Sequence, residues 1–429
     1  MTKIIKNSWA LFTGIGILMI AHGLQGNLMG VRSVIEEFNF LATGTMMSGY
    51  YVGYFFGSHI TPKLVLRVGH IRVFAAFASM ASLSILIISA YVNPIVWTFA
   101  RFITGMSIVS CFIVAESWLN DRANNRTRGK LLSLYMFITY IGLAIGMLLL
   151  NFDSPENYKP FILVSILLSI ALVPILLTKR KAPKFKKIST MKLKDLYKTS
   201  PLGVVSSFFT GIIHSVIFTL TAVYAATMNF SIFEISLLLF LITIAGALSQ
   251  WPIGYLSDLY DRRNIIIITT ITSAIFCALI FIAAVDALGL MYLATEWGTS
   301  KLMFFIFITI YAGASLSLYP LNLAHTNDFV PKEKFVAAGG GLQLIFGLGA
   351  IGGPIACSIF MNKFGPNSFF IFLLIFHVMI GLFGIYRITR RVTKDNPDST
   401  FTPLPKNITP LGMELDPDTG IDLSTAKKK

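Results

Sequence analysis

Residues 232–285 read IFEISLLLFLITIAGALSQWPIGYLSDLYDRRNIIIITTITSAIFCALIFIAAV. Two apolar runs, Ile232 to Gly254 and Asn264 to Val285, are each long enough to cross a bilayer core as a helix, which takes about 20 residues. Between them the turn GYLSDLYDRR gathers the charge: Asp258, Asp261, Arg262 and Arg263. The stretch is a pair of membrane spans joined by a short charged turn. The same pattern continues in both directions. It predicts spans over 8–30, 42–62, 70–92, 94–119, 130–150, 160–178, 201–225, 301–324, 335–360 and 368–389, twelve in all with the first two. The N-terminal MTKIIKNSWALFTGIG resembles the start of a secretory signal, but its apolar run has no clear small-residue cleavage site, so it reads as a retained first span.

Composition agrees. Of 429 residues, 55% are apolar and 13% charged, about half of the roughly 25% charged share of a soluble protein. Aromatics make up 13% and mean hydropathy is +0.72, which excludes disorder, collagen-like repeats and a disulfide scaffold. Cys111, Cys277 and Cys357 sit inside apolar runs without metal or redox spacing and read as packing residues. No metal, cofactor or enzymatic chemistry is expected. The net charge of +15 would suggest nucleic acid in a soluble protein, so its distribution decides. Thirty of the 35 Lys and Arg fall on the side shared by both termini, four lie on the other, and Arg101 lies within a span. That bias predicts a multi-pass membrane protein with both termini cytoplasmic, and it argues against a nucleic-acid partner.

The longest interruption, KRKAPKFKKISTMKLKDLYKTS at 179–200, carries nine basic residues and one acid. It reads as a solvated linker that enforces topology, or as a segment drawn to anionic membrane lipid. It divides a six-span unit, 1–178, from a second, 201–391; beyond it, 392–429 is polar, with five prolines between Pro397 and Pro417, and is expected to be disordered. The halves repeat. AESWLND (115–121) after span four answers NLAHTND (322–328) after span ten, and PKLVLRVGHIR from Pro62 answers GYLSDLYDRR from Gly254.

These residues resemble the major facilitator superfamily of secondary transporters. Gly254, Asp258, Asp261, Arg262 and Arg263 are similar to its G-x-x-x-D-R-x-G-R-R loop signature, and RFITG from Arg101 to Gly105 resembles its R-x-x-x-G signature in helix four. QWPIGYLSDLYDRR, ESWLND and LYPLNLAHTND together look like a bacterial subset whose substrates are generally unassigned. The resemblance implies an all-α membrane protein with twelve transmembrane helices in two pseudo-symmetric six-helix bundles, moving a solute through a cavity between them by alternating access. Two departures stand out. In the first loop Leu66 replaces the signature Asp while Arg67, Gly69 and Arg72 remain, which leaves Glu116 as substitute; helix five has Gly142 and Gly146 but no Gly-Pro pair, which lowers the case for drug/proton antiport.

Arg101 lies about seven residues into span four, roughly 10 Å along a helix, where a charge is costly unless it meets partners or water. It either holds an anionic substrate group or orients a proton relay, or else it snorkels outward. The resemblance places spans one and seven at the cavity, which makes His22, Gln25, Asn27, His214 and Tyr224 candidate solute contacts; the other reading is bundle-stabilising hydrogen bonds. Gln250, Asn322, His325 and Gln343 are weaker candidates. Apart from Glu116 no acid lies well inside a span, so His22, His214 or the outer-end Glu36 would carry a coupling proton, unless the protein is a facilitator. Charged residues at the inner helix ends are expected to form a latch between the rocking halves. They are Arg67, Arg72, Glu116, Arg122, Arg126 and Arg128 in the first half, and Asp258, Arg262, Arg263, Asp328 and Lys334 in the second. GLGAIG at 347–352 matches a dinucleotide fingerprint formally but lies in a span, where helix packing explains it better. The expected function is transport of a small organic solute by a monomer, an organic acid or amino acid ahead of a sugar or drug. A drug or metabolite exporter and a non-transporting receptor or scaffold of the same fold are the alternatives.

Overall fold

The computed structural model describes residues 2–177, 191–285, 297–390, 399–405 and 407–419. Among these there is no strand. The first half forms α1 (Thr2–Ile35), α2 (Phe40–Val68), α3 (His70–Ala90), α4 (Pro94–Arg122), α5 (Arg128–Leu148) and α6 (Lys159–Leu176). The second forms α8 (Pro201–Thr227), α9 (Ile232–Leu259), α10 (Arg262–Val285), α11 (Trp297–Leu316), α12 (Leu318–Asn327), α13 (Phe335–Phe364) and α14 (Ser368–Ile388). Between the halves lies the short α7 (Leu193–Thr199). Local chemistry sets many of the ends. Asn93 accepts from the N–H groups of Ile95 and Val96, with Pro94 at the first helical position of α4. Ser231 and Glu234 form a reciprocal capping box on α9. Gly69 and Gly365 end α2 and α13 at φ +87° and +85°, a conformation that costs other residues more.

Among the described residues, eleven of the expected spans are long and apolar enough to cross a membrane. The twelfth, α2, has the length, 29 residues, but carries SGYYVGY at its centre, because it packs on α4 along one face and borders the cavity along another. Span ten is divided. Pro320 has no N–H and its ring crowds the carbonyl four residues back; the chain breaks between Leu316 and Leu318, giving α11 and α12. Of the expected linker, residues 178–190 lie outside the described set, but its end is not a free solvated strand: α7 buries Leu196 against Gly341 of α13.

Helices α1–α6 pack into one bundle and α8–α14 into the other, and they meet where α1 faces α8, α2 faces α13 and α5 faces α9. One face of the molecule carries the basic loops α2–α3, α4–α5 and α9–α10, and is called here the basic face. At the opposite face the bundles are closed on each other. A Cβ on Gly30 would fall 2.9 Å from that of Ala222, one on Gly44 would fall 2.0 Å from Ser358 Oγ, and Asn151 Nδ2 donates to Ser236 Oγ at 2.6 Å. The GLGAIG stretch lies inside α13, where Gly349 sits against the Phe208 carbonyl of α8, 2.1 Å from a would-be Cβ; it serves close helix packing.

The tail departs from expectation. Residues 399–405 and 407–419 are ordered and return into the space between the bundles at the basic face, with Leu404, Ile408, Leu411, Met413 and Leu415 buried. Its composition offers no core of its own, but the two bundles supply one.

Candidate functional site

At the centre of the interface a cavity of about 70 Å³ is lined by His22 of α1, Tyr50 and Tyr51 of α2, and Tyr140 of α5 from the first bundle. The second bundle contributes His214 and Phe218 of α8, Gln250 of α9, Leu316, Tyr319, Pro320, and Gln343 and Phe346 of α13. The break at Pro320 matters here: beside it His214 donates from Nε2 to the Ser315 carbonyl at 2.9 Å, which orients its ring at the cavity wall. His22 stacks on Tyr50, ring centroids 5.5 Å apart.

Behind Tyr50 lies Arg101, 2% exposed, its guanidinium 4.8 Å from the centre of the Tyr50 ring. A cation over an aromatic face recovers part of its lost hydration, but Nε and Nη1 have no hydrogen-bond partner, and Arg101 makes no ion pair among the described residues. The Tyr50 and Tyr319 hydroxyls and Gln343 Oε1 are likewise buried and unpartnered. Buried polar groups are normally satisfied, so this cluster marks a polar chamber rather than packed core.

On the basic side the tail closes the cavity, Leu404, Pro405, Asn407 and Ile408 forming its floor. Both bundles hold it. From the second, Asp258 accepts from the Phe401 N–H at 2.9 Å, Gln250 accepts from the Leu404 N–H at 2.8 Å and donates to its carbonyl at 3.2 Å, and Gln343 donates to the Ile408 carbonyl. From the first, Tyr54 donates to the Asn407 carbonyl at 3.3 Å and Asn120 to the Leu411 carbonyl. Arg128 donates to the Glu414 carbonyl at 3.1 Å and the Thr419 hydroxyl at 3.2 Å. Glu116, fully buried, is the main anchor: it accepts from the Thr409 N–H (3.1 Å), the Thr409 hydroxyl, the Gly412 N–H (2.9 Å) and the Tyr135 hydroxyl (3.0 Å). Four donors meet the need of a buried carboxylate.

The inner helix ends do not form the expected latch. Arg67 and Arg72 are exposed, and Glu116 faces the tail rather than either of them. The ion pairs found among the described residues at this face stay within the second bundle: Arg262 to Asp328 at 2.6 Å and to Asp258 at 2.7 Å, and Arg263 to Asp261 at 2.6 Å. In the first bundle the place of Arg262 is taken by His70, bonded to Ser117 Oγ at 2.9 Å. The physical reason is separation: with the tail between them, charges of the two bundles meet its peptide groups instead of each other.

One tail residue gives a pH dependence. Asp416 is 6% exposed and bonded to the Thr402 hydroxyl (3.1 Å) and the Asp418 N–H (3.0 Å). Burial, aided by the charge of its titratable neighbour Asp418 and opposed by those bonds, pushes its carboxyl up from 3.8 to about 6. The docked form therefore holds the proton more tightly than a free tail. Its stabilisation is fully present below about pH 4 and is lost as pH rises through about 6. Hydrogen exchange of residues 412–419, corrected for intrinsic rates, should accelerate between pH 5 and pH 8, and Asp416→Asn should remove that acceleration.

Comparison with known proteins places this architecture. The family model described as Major Facilitator Superfamily matches residues 11–294. The chain belongs to the major facilitator superfamily, and it is a multi-pass membrane transporter. It is 25% identical over 365 residues to an uncharacterized MFS-type transporter, YcaD, of Escherichia fergusonii, covering 85% of this chain and 91% of that one. It is 25% identical over 370 residues to YcaD of Escherichia coli, with the same coverage. Among solved structures it is similar in fold to the nucleoside transporter NupG, with a TM-score of 0.72 and 11% identity over 90% of this chain and 99% of that one. A bacterial homologue of the human lysosomal transporter Spinster gives 0.72 and 12%, over 88% and 95%. The human organic anion transporter MFSD10 gives 0.59 and 13%, over 89% and 99%.

Within the superfamily fold, the sequence-derived residues divide. His22, His214, Gln250 and Gln343 line the cavity, and Arg101 lies behind its Tyr50 wall. Six others lie outside its lining. Gln25 donates to Thr104 within the first bundle, and Asn27 is buried away from the cavity lining. Asn322 donates to Thr210 within the second, and Tyr224 stacks among Phe304, Phe369 and Phe370 and donates to Asn367. His325 packs edge-on against Phe329. Glu36 pairs with Arg32 near the opposite face. Tyr50, Tyr51, Tyr140 and Tyr319 also line the cavity, none of them among the sequence-derived candidates. A pair of adjacent tyrosines inside an otherwise apolar span, SGYYVGY, was the available signal, since a buried hydroxyl needs a partner or water.

Proposed function

We propose that this transporter carries a small organic anion or zwitterion, such as an organic acid or amino acid, across the bacterial inner membrane by alternating access, with the basic face in the cytoplasm. The carrying observation is the unpartnered guanidinium of Arg101 beside the cavity. A buried cation without a carboxylate is costly, and a solute carboxylate reaching past Tyr50 would relieve that cost. The charge bias of the loops and the Escherichia relatives support the membrane and the orientation. Coupling, where present, would use His22 and His214, imidazoles at the cavity wall whose kind titrates near neutral pH in water. Glu36 is left out because it lies away from the cavity, paired with Arg32.

The likeness to NupG and MFSD10 extends to fold alone, so the anion is preferred over a nucleoside on Arg101. The aromatic lining, Tyr50, Tyr51, Tyr140, Tyr319, Phe218 and Phe346, would equally stack a base, and that is the second reading. The test is uptake into proteoliposomes with a panel of carboxylates, amino acids, nucleosides, sugars and cationic drugs. A carboxylate-bearing solute should accumulate, and Arg101→Ala should cut its transport about tenfold to a hundredfold, the worth of a charged hydrogen bond. Arg101→Met should meanwhile keep or raise the unfolding temperature, since it removes an unpaired buried charge. Nucleoside uptake indifferent to Arg101→Ala would transfer the assignment to the stacking surface. No flux of any solute would favour a receptor or scaffold.

A further inference from the structure

The tail contacts join residues from opposite sides of the transport cavity. Tyr54, Glu116, Asn120 and Arg128 belong to one bundle; Gln250, Asp258, Arg262 and Gln343 belong to the other. All of them meet one segment of the tail, without regular structure near Leu404 and Ile408 and wound into two short 3-10 turns over Gly412–Leu415 and Pro417–Thr419. Most bonds go to its peptide N–H and C=O groups, as when a peptide is captured by a protein groove. Five apolar side chains, Leu404, Ile408, Leu411, Met413 and Leu415, are buried with it. Below the central cavity a second one of about 80 Å³, between Tyr54, Phe55 and Ser58 of α2 and Gly340, Leu344 and Gly347 of α13, is roofed by Asn407, Thr409 and Pro410. The bundles are thus apart at the basic face and closed on each other at the opposite face.

A solute leaving the cavity toward the basic face has to pass Leu404, Pro405, Asn407 and Ile408. Rocking of the bundles has to change the distance between Glu116 and Gln343, which the tail spans through Thr409 and the neighbouring Ile408. We propose that residues 399–405 and 407–419 form a plug acting in cis: the mouth of the cavity is a binding site for a peptide, and the chain's own tail is its occupant, barring solute exchange at the basic face until it detaches. Four prolines in it, Pro403, Pro405, Pro410 and Pro417, restrict the segment before it docks and so lower the ordering cost. The proposal rests on the cavity being the transport path, not on the identity of the solute.

The test uses the full-length chain. Leu316 lines the cavity and makes no hydrogen bond to the tail, so Leu316→Cys reports opening, with the buried Cys111, Cys277 and Cys357 as background. A maleimide offered from the basic face should label it slowly. Adding Gly412→Val, whose Cβ would fall 2.7 Å from the Glu116 carboxyl carbon, or Thr409→Asp, which sets a second carboxylate against Glu116, should raise the rate at least tenfold. A synthetic peptide of residues 399–419 should slow it again. Equal rates in the parent and both variants would overturn the proposal. Hydrogen exchange on the wild-type chain separates a plug from a structural staple. The amides of Leu404, Thr409 and Gly412 should exchange at least tenfold faster than those in the centre of α13, because the tail opens while the bundles stay folded. One common rate for tail and α13, or loss of the folded state in both variants, would make the tail a staple and also overturn it. Neither readout involves Arg101 or a solute, so a wrong solute assignment leaves the result standing.

Discussion

Arg262→Ala should lower stability by about 3–5 kcal/mol, the cost of breaking a buried ion pair from one side. Arg262 is 3% exposed and Asp328 6%. The guanidinium reaches Asp328 at 2.6 Å, Asp258 at 2.7 Å, the Ala324 carbonyl at 2.9 Å and the Ser399 hydroxyl at 2.8 Å. Removing it takes from the buried Asp328 carboxylate the guanidinium at 2.6 Å, which is worse than removing both partners. Thermal unfolding of the detergent-solubilised protein measures the loss. The double variant Arg262→Ala with Asp328→Asn should recover part of it, because the uncompensated charge goes too; a cycle that shows simple additivity would mean the pair is not coupled. Arg262→Lys should fall between, since a point charge cannot serve several acceptors in one plane as the guanidinium fork does.

Gly105→Leu should be comparably damaging, at about 3 kcal/mol, and should reduce the yield of folded protein. A Cβ at Gly105 would lie 1.8 Å from the Tyr50 carbonyl, and one at Gly53, on the facing helix, 1.9 Å from the Phe102 carbonyl. Helices α2 and α4 therefore touch backbone to backbone, as membrane helices do where small residues line the contact. The obstacle is main chain, so no side-chain rotation relieves it, and α2 has to move away from α4. Because Tyr50 is on α2 and Arg101 is on α4, the same shift would pull the ring off the guanidinium. Gly105→Ala should show the same defect in smaller measure, read as a lower unfolding temperature and weaker membrane expression. A Gly105→Leu protein that kept its unfolding temperature would mean that the contact between α2 and α4 is looser than described.

The R-x-x-x-G signature thus combines a local and a nonlocal role. Its spacing places Arg101 and Gly105 one helical turn apart, on the same side of α4, and that much was legible. What each residue meets was not, because Tyr50 is some fifty positions away in the chain and only the packing of α2 brings it there. The same holds for the polar candidates. His22, His214, Gln250 and Gln343 reach the cavity, whereas Gln25, Asn27, Asn322 and Tyr224 do not. A polar residue in a span has to face something polar, but a neighbouring helix satisfies that need as well as a cavity does.

What the sequence determined alone is whatever follows from local composition and period: the spans, the twofold repeat and the division into two bundles, since backbone in hydrocarbon must be helical and each run of about 20 apolar residues suffices to cross. Tertiary structure decided the rest, and the tail most clearly. Read locally, Ser399 to Thr419 is a proline-rich polar strand with scattered apolar residues, too few to bury one another. In the folded protein Leu404, Ile408 and Leu411 find apolar walls, and the Thr409 and Gly412 amides find Glu116. Those partners lie about 290 residues away on another bundle, so no window of sequence contains both halves of the contact. The mouth of the cavity was therefore hidden from the sequence for the same reason that its lining was: it is made where distant segments meet.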